Sequence, residues 1–215
     1  MSNKFKSRPY KPKAQAKTKV DKRQDKVISR IVKQFKPEQK YQDLTAGAVS
    51  PSWNGVAYSA IVVGQGTSDK NRIGDQITIT RIRFRWNVGY TSASLASNQF
   101  RMVIYRDKTA TIGTTVTNVL DNNLVATVNA CQAPYEEDKR MNFEILYDKT
   151  VLLDTVSRFA AQGSYDHTFK TPKLMQYDAG TNTPNKGAIY IMFITDALAP
   201  ALGTDWNSRI WYTDM

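Results

Sequence analysis

The chain has 215 residues, 41% of them apolar and 11% aromatic, enough to bury the core of one large domain. Its single cysteine, Cys131, excludes an intrachain disulfide and a cysteine-rich zinc site, and fits synthesis in a reducing compartment. The net charge of +11 sits at one end: residues 1–40 hold 14 Lys or Arg against three acidic residues, whereas residues 41–215 hold 16 of each sign.

A basic arm on a balanced body reads as polyanion-binding, because each phosphate neutralised by Lys or Arg releases counterions. A merely solubilising tail is the other reading of that charge. No apolar run approaches the roughly 20 residues that a bilayer crossing needs. Lys and Pro recur through the first residues and leave no signal-peptide apolar region.

In chain order, residues 1–20 are Lys-rich and low in complexity, with Pro9 and Pro12, and are expected to form a disordered arm. Its cations Lys4, Lys6, Arg8, Lys11, Lys13, Lys17 and Lys19 are candidate nucleic-acid contacts. Residues 21–40 read as a helix and linker: Asp21 is a candidate N-cap, with Gln24 as its capping-box partner. Val27, Ile28, Ile31, Val32 and Phe35 recur at helical spacing as one apolar stripe. Lys22, Lys26, Arg30 and Lys33, with Arg23 beside them, make a basic face, and Pro37 discourages continuation. So short a helix is unstable alone in water, and its stripe needs a partner, either the body of its own subunit or copies of itself. A helix lying on a membrane surface shares these features, but no Trp or Leu anchors the apolar side.

From residue 55 onward the pattern is β. Candidate strands are 56–63, 76–90, 98–107, 141–148, 150–156, 165–171, 187–195 and 208–213, separated by Gly, Asn and Pro turn signals, with a helical insertion at 115–124. Eight strands and few helices predict an all-β fold, an eight-stranded jelly-roll sandwich over residues 41–215. Within 76–90, Ile77 and Ile79 share one parity while Ile82, Phe84, Trp86 and Val88 share the other. A two-residue period cannot put both sets on one face, so a bulge is expected near Thr80–Arg81. Beyond it, Arg81, Arg83 and Arg85 share the face opposite the apolar residues. That stripe is a candidate contact for nucleic acid or for a neighbouring subunit's carboxylates, and otherwise a solvated sheet face.

Catalytic patterns are missing. The lone histidine, His167, follows Asp166 directly, so the two should point to opposite faces of a strand. There is no HExxH, no G-x-S-x-G elbow and no phosphate-cradling glycine loop. Glu136, Glu137 and Asp138 beside Lys139 and Arg140 read as a solvated loop. An enzyme, a small-molecule substrate and a membrane partner are therefore not expected. The competing reading is a cellular nucleic-acid- or carbohydrate-binding β-sandwich with a basic tail.

Several segments in order, RIGDQITI (72–79), QFRMVIYRDK (99–108), GTTVTNVLD (113–121), KRMNFEILYDKTVLL (139–153), KGAIYIMFITDAL (186–198) and IWYTDM (210–215), carry a family likeness. Together the chain resembles the satellite tobacco necrosis virus coat proteins and the related capsid proteins of circular, Rep-encoding single-stranded DNA viruses. The resemblance implies a single jelly roll of two facing four-stranded sheets, in a virion shell of the smallest icosahedral kind, with about 60 copies. It implies helices clustered in threes on the inner side and arms reaching a packaged single-stranded genome. DNA is slightly favoured over RNA, on the YRDK and ILYDKT segments. The shell protein would be made in the host cell, where the Lys-rich arm could also direct nuclear import. The likeness further implies calcium at subunit contacts, with Glu38 and Asp214 as matching carboxylates. A third family carboxylate, expected shortly before the GDQ turn, has no clean counterpart: Thr67 and Ser68 stand near that position, with Asp69 close by.

Overall fold

The structure, a computed structural model, describes residues 19–34, 37–91, 97–121, 130–197 and 202–214. The chain divides into two compact units, Met1–Pro37 and Glu38–Met215. The first carries 13 basic and two acidic residues, and the second 17 of each sign, so the division of charge coincides with the division of structure.

In the first unit, α1 spans Lys19–Gln34. It starts two residues before the expected cap, so Asp21 lies inside the helix and is not its cap. Pro37 follows its end, as the sequence pattern requires.

The second unit holds nine strands among the described residues: β1 (Gln39–Val49), β2 (Val56–Ser59), β3 (Gln76–Tyr90), β4 (Asn98–Asp107), β5 (Phe143–Leu153), β6 (Ala160–Tyr177), β7 (Pro184–Lys186), β8 (Ile189–Thr195) and β9 (Leu202–Asp214). They form a five-stranded sheet, β1-β9-β3-β6-β7, and a four-stranded sheet, β2-β8-β4-β5. All the pairings between these strands are antiparallel. The chain crosses between the sheets in the interleaved order of a jelly roll.

The count departs from eight strands for local reasons. The segments 141–148 and 150–156 run on as the single strand β5, because Asp148, Lys149 and Thr150 pair with β4 instead of turning. β1 begins inside the segment read as linker, and the three-residue β7 caps the edge of the larger sheet. The expected insertion at 115–124 contains only a 3-10 turn at Val116–Asn118, and 122–124 lie outside the described residues.

The expected bulge is present. Against β9, Ile79 pairs with Tyr212 and Arg81 with Trp211, so Thr80 is the extra residue. Its hydroxyl donates to the Trp211 carbonyl at 3.1 Å and accepts from the Gln39 amide at 3.0 Å. Against β6 the same shift skips residues 169–172, which is how Pro172 sits within a long strand without spoiling its ladder. The kink brings Ile77, Ile79, Ile82, Phe84, Trp86 and Val88 all into the core.

That core fills the space between the sheets and includes Phe100, Met102, Ile104, Ile191, Phe193, Trp206 and Tyr212. Trp86 lies over Gly163 on β6, where an added Cβ would meet the indole at 2.5 Å, so only glycine admits the ring. A second buried layer covers the other face of the four-stranded sheet: Val103, Tyr105, Tyr190, Met192 and Ile194 pack under Ile112, Val119, Leu120, Cys131 and Ala133 of the β4–β5 connection. Buried polar groups anchor that connection. Asp107 accepts from the backbone N–H groups of Thr109, Ala110, Ile112 and Gly113 at 2.9–3.0 Å. Arg101 binds Asp148 through Nε at 3.0 Å and Nη2 at 2.7 Å, and reaches the Ala133 carbonyl at 2.7 Å. Burial opposes the charge on Asp148, but Arg101 and the Tyr135 hydroxyl outweigh it and hold its carboxyl below the usual range.

Candidate nucleic-acid interface

The five-stranded sheet has one buried face and one open face, and alternation along β3 and β9 sends every second side chain outward. Register places these in cross-strand rows. Tyr41, Trp211, Arg81 and Thr168 form one row, Asp43, Arg209, Arg83 and Asp166 the next, and Thr45, Asn207, Arg85 and Ser164 a third. The expected sharing of one face by Arg81, Arg83 and Arg85 is thus observed, and Arg209 joins them.

Four guanidinium groups so close together repel unless they are paired. Asp166 serves two of them: Arg81 donates to it at 2.7 and 2.6 Å, and Arg83 donates through Nε at 2.9 Å, with its Nη2 2.8 Å away in the ion pair. Asp43 takes the fork of Arg209 at 2.5 and 2.8 Å. The Arg81 hydrogen bonds hold the Asp166 carboxyl down at about 2, and Arg209 lowers that of Asp43. Arg81 and Arg209 also lie over the Trp211 ring, at 4.7 and 5.9 Å from its centroid, and Arg209 lies 4.9 Å from that of Tyr41.

Arg85 differs. It is exposed, with no hydrogen bond or ion pair among the described residues. It borders a groove of about 340 Å³ shared with Asp43, Thr45, Arg83, Asn207 and Arg209. Three rows therefore carry four guanidiniums against two carboxylates, with one cation uncommitted. Such a face suits phosphate, which a guanidinium can bind through two parallel N–H donors. Arg209, Asp43 and the double role of Asp166 escaped the sequence reading. The alternation in SRIWYT would have exposed Arg209, but the pairings depend on register between distant strands.

Other candidate cations belong to the first unit. Lys22, Arg23, Lys26 and Arg30 are exposed on α1, which also contains Lys19 and Lys33. Lys4, Lys6, Arg8, Lys11, Lys13 and Lys17 lie outside the described residues. Of the apolar stripe, Val27 and Ile28 are 54% and 57% exposed. Ile31 and Val32 lie in α1, and Phe35 falls outside the described residues.

Cys131 and His167 occupy unlike places. Cys131 is buried in the layer under the β4–β5 connection, where burial pushes its thiol up to about 12 and keeps it protonated at neutral pH. His167 is exposed on β6, with ring centroids 5.7 Å from Tyr165 and 4.8 Å from Phe169.

Of the candidate calcium ligands, Glu38 is exposed. Asp214, at the end of β9, already has a cation, the ammonium of Lys40 at 2.7 Å. Among the described residues no group of three or more His, Cys, Asp or Glu is placed to hold a metal ion. Calcium takes six to eight oxygen ligands, and within this one subunit Asp214 is already neutralised by an ammonium, so further oxygens would have to come from neighbouring subunits.

Two antiparallel sheets in jelly-roll order, with an open arginine face on the larger one, define the class: a single jelly-roll β-sandwich. The family model of the satellite tobacco necrosis virus coat protein matches residues 11–215, and the chain belongs to that family. It is thus a viral coat protein, of a structural and not an enzymatic family, and its place is the virion. No curated relative matches the chain. Among solved structures it is similar to one named Desmodium yellow mottle tymovirus, at 8% identity over 83% of this chain and 89% of that one, with a TM-score of 0.38.

Proposed function

We propose that this coat protein assembles with copies of itself into the smallest icosahedral shell, of about 60 subunits, and packages a single-stranded genome through its basic N-terminal arm. The observation that carries this reading is the separation of charge: Met1–Pro37 holds the whole +11, and Glu38–Met215 is neutral. A neutral body can pack against copies of itself without accumulating repulsion, while a cationic tether condenses phosphate. About 60 arms at +11 each bring on the order of 700 charges, enough to offset much of a genome of about a kilobase or two.

The exposed Val27 and Ile28 fit helices clustered in threes, which would cover the apolar stripe and leave Lys22, Arg23, Lys26 and Arg30 toward phosphate. Arg85, Arg83 and Arg209 on the open sheet face supply a second, weaker contact. No base-reading motif stands out, so binding is sequence-independent and salt-sensitive. The resemblance of the YRDK and ILYDKT segments to circular-virus capsids favours DNA over RNA. Family membership sets aside the cellular β-sandwich reading. Size-exclusion chromatography followed by electron microscopy tests assembly: uniform particles are expected, and monomers alone across salt conditions, with nucleic acid present, refute it. Sequencing the nucleic acid protected in nuclease-treated particles decides between DNA and RNA.

A further inference from the structure

We propose that Lys40 is the resident cation of this subunit at Asp214, occupying with a covalently tethered ammonium the place that the family likeness gives to calcium. Three chain segments meet there. Lys40 stands on β1 opposite Tyr212 of β9, and Asp214 ends β9 opposite Ile77 of β3. The Lys40 ammonium lies 2.7 Å from the Asp214 carboxylate and donates to the Asn71 carbonyl, in the loop before β3, at 2.9 Å. Lys40 is only 8% exposed. Both carboxylate oxygens of Asp214 are buried although the side chain is 19% exposed, and neither accepts an aligned hydrogen bond among the described residues. A carboxylate so placed needs a counter-charge, and Lys40 is the cation beside it.

A divalent ion could reach Asp214 only by displacing or crowding that ammonium. The ammonium is nearly buried and tied to a second segment, so it cannot swing into water without breaking the junction. The pair itself offers no net charge to attract the ion, since Lys40 and Asp214 sum to zero, and the exposed Glu38 beside it and Asp69 near Thr67 and Ser68 are the carboxylates left to do so. The same loop is held by another internal cation. Arg72, 0% exposed, donates to the carbonyls of Gly74 and Thr181 and to Asp75 at 3.1 Å, and packs 4.2 Å from the Tyr177 ring centroid. Fixed side-chain cations thus do, within one chain, the tying that a bound metal would do between chains.

The test is thermal unfolding of the full-length protein in excess chelator and in millimolar calcium, with Lys40→Gln, Asp214→Asn and the double variant beside it. The expected results are a wild-type midpoint unmoved by calcium, single variants several degrees lower, and a double variant no lower than the worse single one. The proposal fails if calcium raises the wild-type midpoint and Asp214→Asn abolishes the rise, or if Lys40→Gln melts with the wild type. Should Lys40→Gln not fold, the comparison of wild type and Asp214→Asn in calcium still decides. Lys40→Arg, which keeps the charge, should retain the calcium-insensitive midpoint.

Discussion

The two sheets of the sandwich are made of the same kind of strand yet treat their second faces in opposite ways. In the four-stranded sheet the central strands β4 and β8 are buried on both sides, by the shared core and by the β4–β5 connection, while the edge strand β5 exposes Lys149, Thr150 and Leu152. Strand β8, IYIMFIT, is buried at every position. The five-stranded sheet is buried on one side and presents Arg81, Arg83, Arg85, Arg209, Asp43 and Asp166 on the other. A continuous apolar run therefore marks a sheet committed to stability, and a strict alternation marks one whose outer residues are available for contacts. The subunit thus has one sheet committed to its own core and one with an open polar face.

The largest effects should fall on the sealed sheet, on both of its faces. Phe193 and Met192 are adjacent on β8, point into different buried layers, and are each 0% exposed. Truncating either to alanine should cost about 2–5 kcal/mol in urea unfolding. A Met192→Ala cost below about 1 kcal/mol would mean that the outer layer is a loose cover and that the comparison overstates it.

A smaller effect should appear in acid. Asp148, Asp166 and Asp43 all hold their protons less tightly in the folded chain than in the unfolded one. Below their ordinary range the unfolded state binds more protons, so their contribution is complete above the ordinary value of 3.8 and is lost as pH falls toward about 2. The urea midpoint should decline through that window, and less steeply in Asp166→Asn. Equal slopes would show that the arginine pairing on the open face adds nothing to stability.

The smallest stability effect belongs to Arg85, which is exposed and paired with nothing described. Arg85→Ala should leave unfolding within about 0.5 kcal/mol of wild type. It should also reduce the slope of log affinity against log salt for a single strand by about 0.7. Asp166→Asn should steepen that slope by freeing Arg81 and Arg83. A salt slope indifferent to both substitutions would reduce the open face to a solvated surface.

Much of this was legible in sequence wherever one strand carries its own signal. The parity change at Thr80 located the bulge, and the alternation after it placed Arg81, Arg83 and Arg85 on one face. β1 was not legible, because QKYQDLTAGAV offers the core only Leu44, Ala46 and Val49, all partly buried on the edge of the sheet. β5 was split because its polar centre mimics a turn, whereas the shift between Ile104 and Tyr105 leaves Leu146 as an unpaired extra residue. The partners of the arginines and the Lys40–Asp214 contact were beyond reach for a shared reason. They join segments far apart in the chain, and only register brings them together.

The division between a neutral tile and a cationic tether is tested most directly by removing residues 1–36 and measuring the nuclease-protected nucleic acid per subunit in purified particles. The β-fold should survive, and the protected nucleic acid should fall to near zero while full-length particles retain theirs. Truncated particles that protect as much nucleic acid as the full chain would contradict the account.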